Sequence, residues 1–225
     1  FTKLSKLMQH RTALLLLLLA PLARADDCAQ LPLPSVTLTR IEQPITLNYR
    51  YGYQSLDNIG QAAKSPGRHI LGLTRGTASA TFALELPTYL DSSGRWACSS
   101  PQITVRYGFS PMMVYIANEF PEGSCAHQQI MEHEMRHVKA YQAHLETIEK
   151  DIGNQLKSRF VTGAPWRAPR GETAPRLQRE MSERWLPMIQ RQLSQVEEQQ
   201  QLIDTPEEYA RVSDACDGEI KKRLR

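Results

Sequence analysis

Residues 133 to 137 read His-Glu-Met-Arg-His, two imidazoles four positions apart with a carboxylate between them. On a helix that spacing brings both rings to one face a single turn apart, where a nitrogen of each can bind the same zinc ion. Zinc lowers the pKa of a bound water towards 7, and Glu134 then stands where it can take the water's proton and pass it to the amine released as a peptide bond breaks. Zn2+ is the only cofactor this chemistry requires. Given this chain's His and Glu content, such a string arises by chance in roughly 1% of sequences of this length, so its surroundings must carry part of the argument.

Those surroundings predict a helix. Residues 126 to 160 contain no Pro and only Gly153, whereas 163 to 171 are rich in both. Wound at 100° per residue from Ile130, the apolar positions Ile130, Val138, Tyr141, Leu145, Ile148 and Ile152 fall on one stripe between 0° and about 80°. Glu134 falls inside the stripe at about 40°, with His137 and His133 at its margin and Arg136 on the opposite, wet side. A carboxylate and two imidazoles on a buried face are costly unless something pairs with them, and a metal ion does so. The plainer reading is a surface helix with solvated histidines and Glu134 in an ordinary ion pair with a neighbouring arginine.

Two histidines leave a zinc ion short of a third protein ligand. His144 lies seven residues beyond His137, about 10 Å along the axis, and His127 lies about 9 Å from His133 and roughly 120° around the helix. Neither can share the metal. His69 sits in a Gly/Pro-rich loop. A carboxylate from a later helix is the better expectation. If a second helix packs antiparallel across the loop at 161 to 173, equal counting back from the turn places residue 197 opposite His137, which makes Glu197 and Glu198 the candidates. A bend at Pro187 shifts that register, so Glu180, Glu183, Glu208 and Asp214 are alternatives.

The rest of the chain supplies the frame. From Pro34 to Phe120 apolar residues mostly alternate, as in 45 to 51 and 78 to 86, with further strands expected at Ile103 to Tyr107 and Met113 to Ala117 and a short helix from Ser55 through Ala63. The expectation is a small antiparallel sheet over 34 to 120, followed by helices over 126 to 223, an α+β domain. The second helical stretch runs from about Thr173 to Ile203 with a disturbance at Pro187. A third starts at Pro206, signalled by Thr205 as N-cap and Glu208 as its capping-box partner.

Residues 1 to 25 combine Lys3, Lys6 and Arg11 with an apolar run from Thr12 to Ala23 and end Ala-Arg-Ala. That is the pattern of a secretory signal peptide, and its apolar run is too short for the roughly 20 residues of a membrane span. The expected mature protein is a single domain over 26 to 225, periplasmic or extracellular, with no membrane span after cleavage. The whole chain carries 27 Lys+Arg and 24 Asp+Glu, but four of the basic residues belong to the leader, which leaves 23 against 24 and a net charge of −1. Nucleic acid and anionic membranes lose their electrostatic basis as partners. Export makes two disulfides the expected use of Cys28, Cys98, Cys125 and Cys216, and the favoured pairing is Cys98 with Cys125 and Cys28 with Cys216. The chain lacks a G-x-S-x-G elbow, a P-loop and a dinucleotide glycine fingerprint.

Taken with the leader and the β-rich region before it, Glu132-His133-Glu134-Met135-Arg136-His137-Val138 resembles the zincin metallopeptidases, in particular secreted zinc-dependent proteases. The resemblance implies His133 and His137 as zinc ligands, Glu134 as general base, a peptide or protein substrate, and an edge strand that holds an extended substrate, for which Met113 to Ala117 is the candidate. The extended zincin pattern with a further glycine and histidine would place them at Ala140 and Ala143, so the metzincin variant does not apply. The alternative is a non-enzymatic envelope protein that binds a partner through its long helices and keeps a relic or structural metal site; a metal carrier ranks below it.

Overall fold

A computed structural model describes residues 27 to 60 and 68 to 224. The leader at 1 to 25 and the end of the helix expected through Ala63 lie outside the described residues. The elements in order are β1 (Ser35–Arg40), β2 (Thr46–Asn48), α1 (Tyr53–Ile59), β3 (Gly72–Glu85), β4 (Thr88–Leu90), β5 (Trp96–Ser99), β6 (Gln102–Ile116), α2 (Cys125–Phe160), β7 (Trp166–Pro169), α3 (Thr173–Glu180), a π-helical turn (Met181–Trp185), α4 (Leu186–Ser194), α5 (Val196–Gln201) and α6 (Pro206–Arg223). The architecture is α+β, with the HExxH segment on the first long helix.

The main sheet is mixed rather than antiparallel. β6 is its centre: β1 and β2 lie along one side in parallel, and β3 lies along the other in antiparallel register from Gly72 opposite Ile116 to Glu85 opposite Gln102. Alternation reports which face a residue takes and says nothing of strand direction, so the parallel pairs were not readable from it. The two strands expected at 103 to 107 and 113 to 117 are one strand. Its ladder skips Ser110 and Pro111 opposite Thr77, and this bulge accommodates the missing N–H of Pro111 in a central strand. Met113 to Ala117 is therefore interior, and among the described residues β3 pairs only with β6, which makes β3 an edge of the sheet, with β1 and β2 on the opposite side of β6. A second sheet, β4-β5-β7, is antiparallel throughout.

α2 buries the predicted stripe. Ile130, Val138, Tyr141, Leu145, Ile148 and Ile152 are all inside, and Leu156 and Phe160 extend the row. The C-terminal part packs with Ile103, Val105 and Tyr107 of β6 and with Leu177, Met181, Trp185, Ile189 and Leu193 of the next helical run. Each such side chain contributes roughly 1.5–3 kcal/mol by leaving water. The helix starts where Ser124 accepts a hydrogen bond from the His127 N–H at 3.2 Å. α1 begins at Tyr53, two residues before the expected cap, with Glu119 accepting from the Tyr53 N–H.

The disturbance expected at Pro187 is the π turn just before it. Proline offers no N–H to the preceding turn and its ring crowds that turn's carbonyl, and a wider turn relieves both. The disulfides differ from the favoured pairing: Cys28 joins Cys98 and Cys125 joins Cys216. Cys98 lies on β5 near the chain's start, while Cys125 opens α2 beside α6, so element packing rather than sequence proximity sets the pairs.

Candidate metal centre

α2 presents His133 and His137 one turn apart towards the segment that joins α5 to α6. His133 Nε2 and His137 Nε2 are 3.1 Å apart, and Asp204 Oδ1 is 3.2 Å from each. The three form a group that could hold a metal ion. Tetrahedral zinc, with nitrogen and oxygen ligands at roughly 2.0–2.1 Å, puts its donor atoms about 3.3 Å apart, so both the spacing and the chemistry of this set fit. A three-donor set also leaves a fourth position open.

Both imidazoles are oriented by their other nitrogen. His137 Nδ1 lies 2.6 Å from Gln200 Oε1, and the Gln200 amide donates in turn to the His137 carbonyl at 3.3 Å. His133 Nδ1 lies 3.2 Å from Glu208 Oε1. With the Gln200 oxygen facing His137 Nδ1, the proton sits there and the Nε2 lone pair is free to face the centre, whereas His133 Nδ1 meets both Glu208 Oε1 and, at 3.1 Å, Arg136 Nη2. Arg136, expected on the wet side, reaches Glu208 instead, as does Arg211. The hydrogen bond from Arg211, opposed by burial and reinforced by those from Arg136 and His133, holds the Glu208 carboxyl down at about 2.

Glu134 is buried beneath β3. Its Oε2 accepts a 2.7 Å hydrogen bond from Thr74 Oγ1, which also reaches the Glu134 carbonyl at 3.2 Å. The strand comes this close because residue 72 is glycine: a Cβ there would stand 2.4 Å from Glu134 Oε1 and 2.7 Å from Ile130 Cγ2. Burial raises the Glu134 pKa, with His133, His137 and Thr74 pulling against it. Burial likewise pushes the Asp204 carboxyl up, but hydrogen bonds with the two histidines prevail and hold it at about 2.

These groups line a cavity of about 390 Å³ between β3 and α6, floored by α2. Tyr209 belongs to it, and burial, together with the charges of Asp204 and Glu134, pushes its phenol up to about 12. That phenol stays protonated, a donor available to the cavity.

The structure does not bring Glu197 or Glu198 to the histidines. Glu197 is an exposed carboxylate on the cavity wall and Glu198 is exposed on α5. Among the alternatives, Glu208 contacts His133 from behind, Asp214 pairs with Lys221, Glu180 pairs with Arg159, and Glu183 is exposed. Equal counting reached α5 but stopped short: Gln200 lies three residues past Glu197, and Asp204 four residues past that, in the segment that joins α5 to α6. The π turn and the break between α4 and α5 account for the slip. One signal for Asp204 was present, since it immediately precedes the Thr205 cap that aims the start of α6.

The other described histidines stay out of the group, as expected. His144 Nε2 faces the Gln192 carbonyl at 2.7 Å, His69 Nδ1 pairs with Asp57 at 2.8 Å, and buried His127 has no hydrogen-bond partner for Nε2 among the described residues. Tyr141 packs edge-on against Phe109, with ring centres 4.6 Å apart. No protein-family model, curated protein or solved structure matches this chain.

Proposed function

We propose that this protein is an exported zinc-dependent peptidase, with His133, His137 and Asp204 holding the metal and Glu134 as general base. The observation that carries the reading is the convergence of three donor atoms within 3.2 Å of one another beside a buried carboxylate. Zinc bound there supplies a Lewis acid that activates water and polarises a carbonyl. The protein's own residues do the remainder. Gln200 and Glu208 orient the two imidazoles so that each Nε2 faces the centre, and Thr74 holds one oxygen of Glu134. The carboxylate takes a proton from the attacking water and returns it to the leaving nitrogen, a task its burial suits because a carboxylate out of water is the stronger base.

The edge of β3 supports a peptide as the substrate. Gly72 to Thr74 pass directly over Glu134, and the side of the strand that has no partner strand among the described residues offers N–H and C=O groups to an extended chain, so the bound peptide is held as an added strand. Two disulfides support an oxidising destination outside the cytoplasm. The test compares the zinc-loaded protein with Glu134→Gln and His137→Ala, by elemental analysis and by cleavage of a mixed peptide library. The parent and Glu134→Gln should retain a single zinc, His137→Ala should lose it, and only the parent should cleave. A folded parent without zinc, or cleavage undiminished in Glu134→Gln, would overturn the reading.

A further inference from the structure

The cavity holds two cations besides its histidines, Arg68 and Lys221. They differ in one respect. Lys221 is paired with Asp214 across the rim, whereas Arg68 makes no ion pair among the described residues. Its Nη1 donates to the Pro206 carbonyl at 3.1 Å, and its guanidinium lies 5.0 Å from the centre of the Tyr209 ring. A carbonyl and a ring face fix the side chain in place without neutralising it. Five N–H groups are available on a guanidinium and one is used here, so a fork suited to a carboxylate is left over. Arg68 is half-buried, and Ile70, Ile130, Val212 and Leu224 line the same cavity, so a charge pair formed there is less screened than on an open surface.

We propose that Arg68 binds a carboxylate of the ligand, so that the cavity selects peptides carrying a carboxylate close to the bond presented to Glu134. The identity of the ligand as a peptide rests on the peptidase reading; the carboxylate recognition rests on Arg68 and its surroundings. Two sources supply the group, a free C-terminus or an acidic side chain. They correspond to trimming from the chain end and to cleavage beside Asp or Glu.

Equilibrium binding separates this inference from turnover. The zinc-loaded Glu134→Gln protein is titrated with apolar hexapeptides in which a single Glu or Gln is moved through the six positions, each made with a free or an amidated C-terminus. The same titrations are run with Arg68→Gln and Arg68→Lys added. Carboxylate-bearing peptides should bind the parent about ten- to a hundredfold more tightly than their neutral counterparts, and Arg68→Gln should abolish that margin while leaving neutral peptides within about twofold. Arg68→Lys, which keeps the charge and loses the fork, should retain only part of it. Loss on amidation identifies the C-terminus as the source, and loss on Glu to Gln identifies a side chain. Equal affinity for charged and neutral peptides, equal weakening of both by Arg68→Gln, or no binding of any peptide would overturn the proposal. Arg68-dependent binding of peptides that the zinc-loaded wild type never cleaves would uphold carboxylate recognition and overturn the peptidase reading.

Discussion

His137 shows how the neighbours of a single side chain tune it. Burial pushes its pKa down, but the hydrogen bond to Asp204, the charges of Glu134 and Asp204 and the hydrogen bond to Gln200 push it up further, and the net effect is a pKa raised above that of an ordinary histidine. Protons and metal compete for the same Nε2 lone pair. A raised pKa means that the proton begins to win at a higher pH than at an ordinary histidine, so zinc affinity should fall as pH drops, by about tenfold per unit once His137 is protonated. Chelator competition between pH 8 and 5.5 reads this directly, and a flat curve would contradict it. Replacing Gln200 by Leu frees Nδ1 from its acceptor and should weaken zinc about ten- to a hundredfold. The His-Glu-x-x-His string was legible because i and i+4 on a helix is a geometric certainty. Asp204 and Gln200 were not, since they belong to a different run of chain whose register against α2 passes through the π turn. Even so, the stripe that placed Glu134 among buried residues was readable and is what the structure shows.

At the scale of elements, two short pieces of backbone decide where the chemistry sits. β3 crosses α2 at Gly72, closely enough that any side chain there displaces Glu134 or Ile130. Gly72→Ala should therefore cost about 1–3 kcal/mol through overpacking and cut turnover sharply, while zinc should stay bound, since the atoms nearest that Cβ belong to Glu134 and Ile130 and not to His133, His137 or Asp204. Thermal melts, zinc content and peptide cleavage measured on one preparation distinguish this from general unfolding. The second piece is the start of α6. Thr205 Oγ1 accepts from the Glu208 N–H at 3.2 Å, and this cap fixes Asp204 just before it and Glu208 three residues after it. Thr205→Ala should lower stability by about 1 kcal/mol and weaken zinc as well, because one substitution loosens both the carboxylate in the centre and the one behind His133. Unchanged zinc affinity in that variant would mean that the fold, not the cap, positions Asp204. The cap was legible from Thr-Pro-Glu-Glu, as was the extent of α2. Strand order was not: β6 joins two stretches that read as separate strands, and only the assembled sheet puts β3 at an edge.

For the molecule as a whole, the two disulfides offer a comparison in which loop length and location make different forecasts. Their sequence separations are 70 and 91 residues, so the loss of either should release a similar loop-closure entropy, on the order of 4–5 kcal/mol in the unfolded chain. Their positions are unlike. Cys28–Cys98 ties the start of the described chain to β5 in the smaller sheet. Cys125–Cys216 ties the first residue of α2 to α6, the helix that carries Glu208 and Tyr209 and follows directly on Asp204. Along α6 the bond lands at a bend where Cys216 and Asp217 adopt left-handed backbone angles, φ 58° and 54°. Replacing the Cys28–Cys98 pair by serines should lower the unfolding free energy yet leave zinc affinity within about twofold. Replacing Cys125–Cys216 should lower stability comparably and weaken zinc by tenfold or more, because the α6 wall is then free to move relative to the two histidines. Paired denaturation curves and zinc titrations on the two variants settle the matter. Equal effects on zinc would show that the centre depends on the stability of the whole domain, whereas a selective effect would establish the junction of α2 with α6 as the element that holds the metal site together.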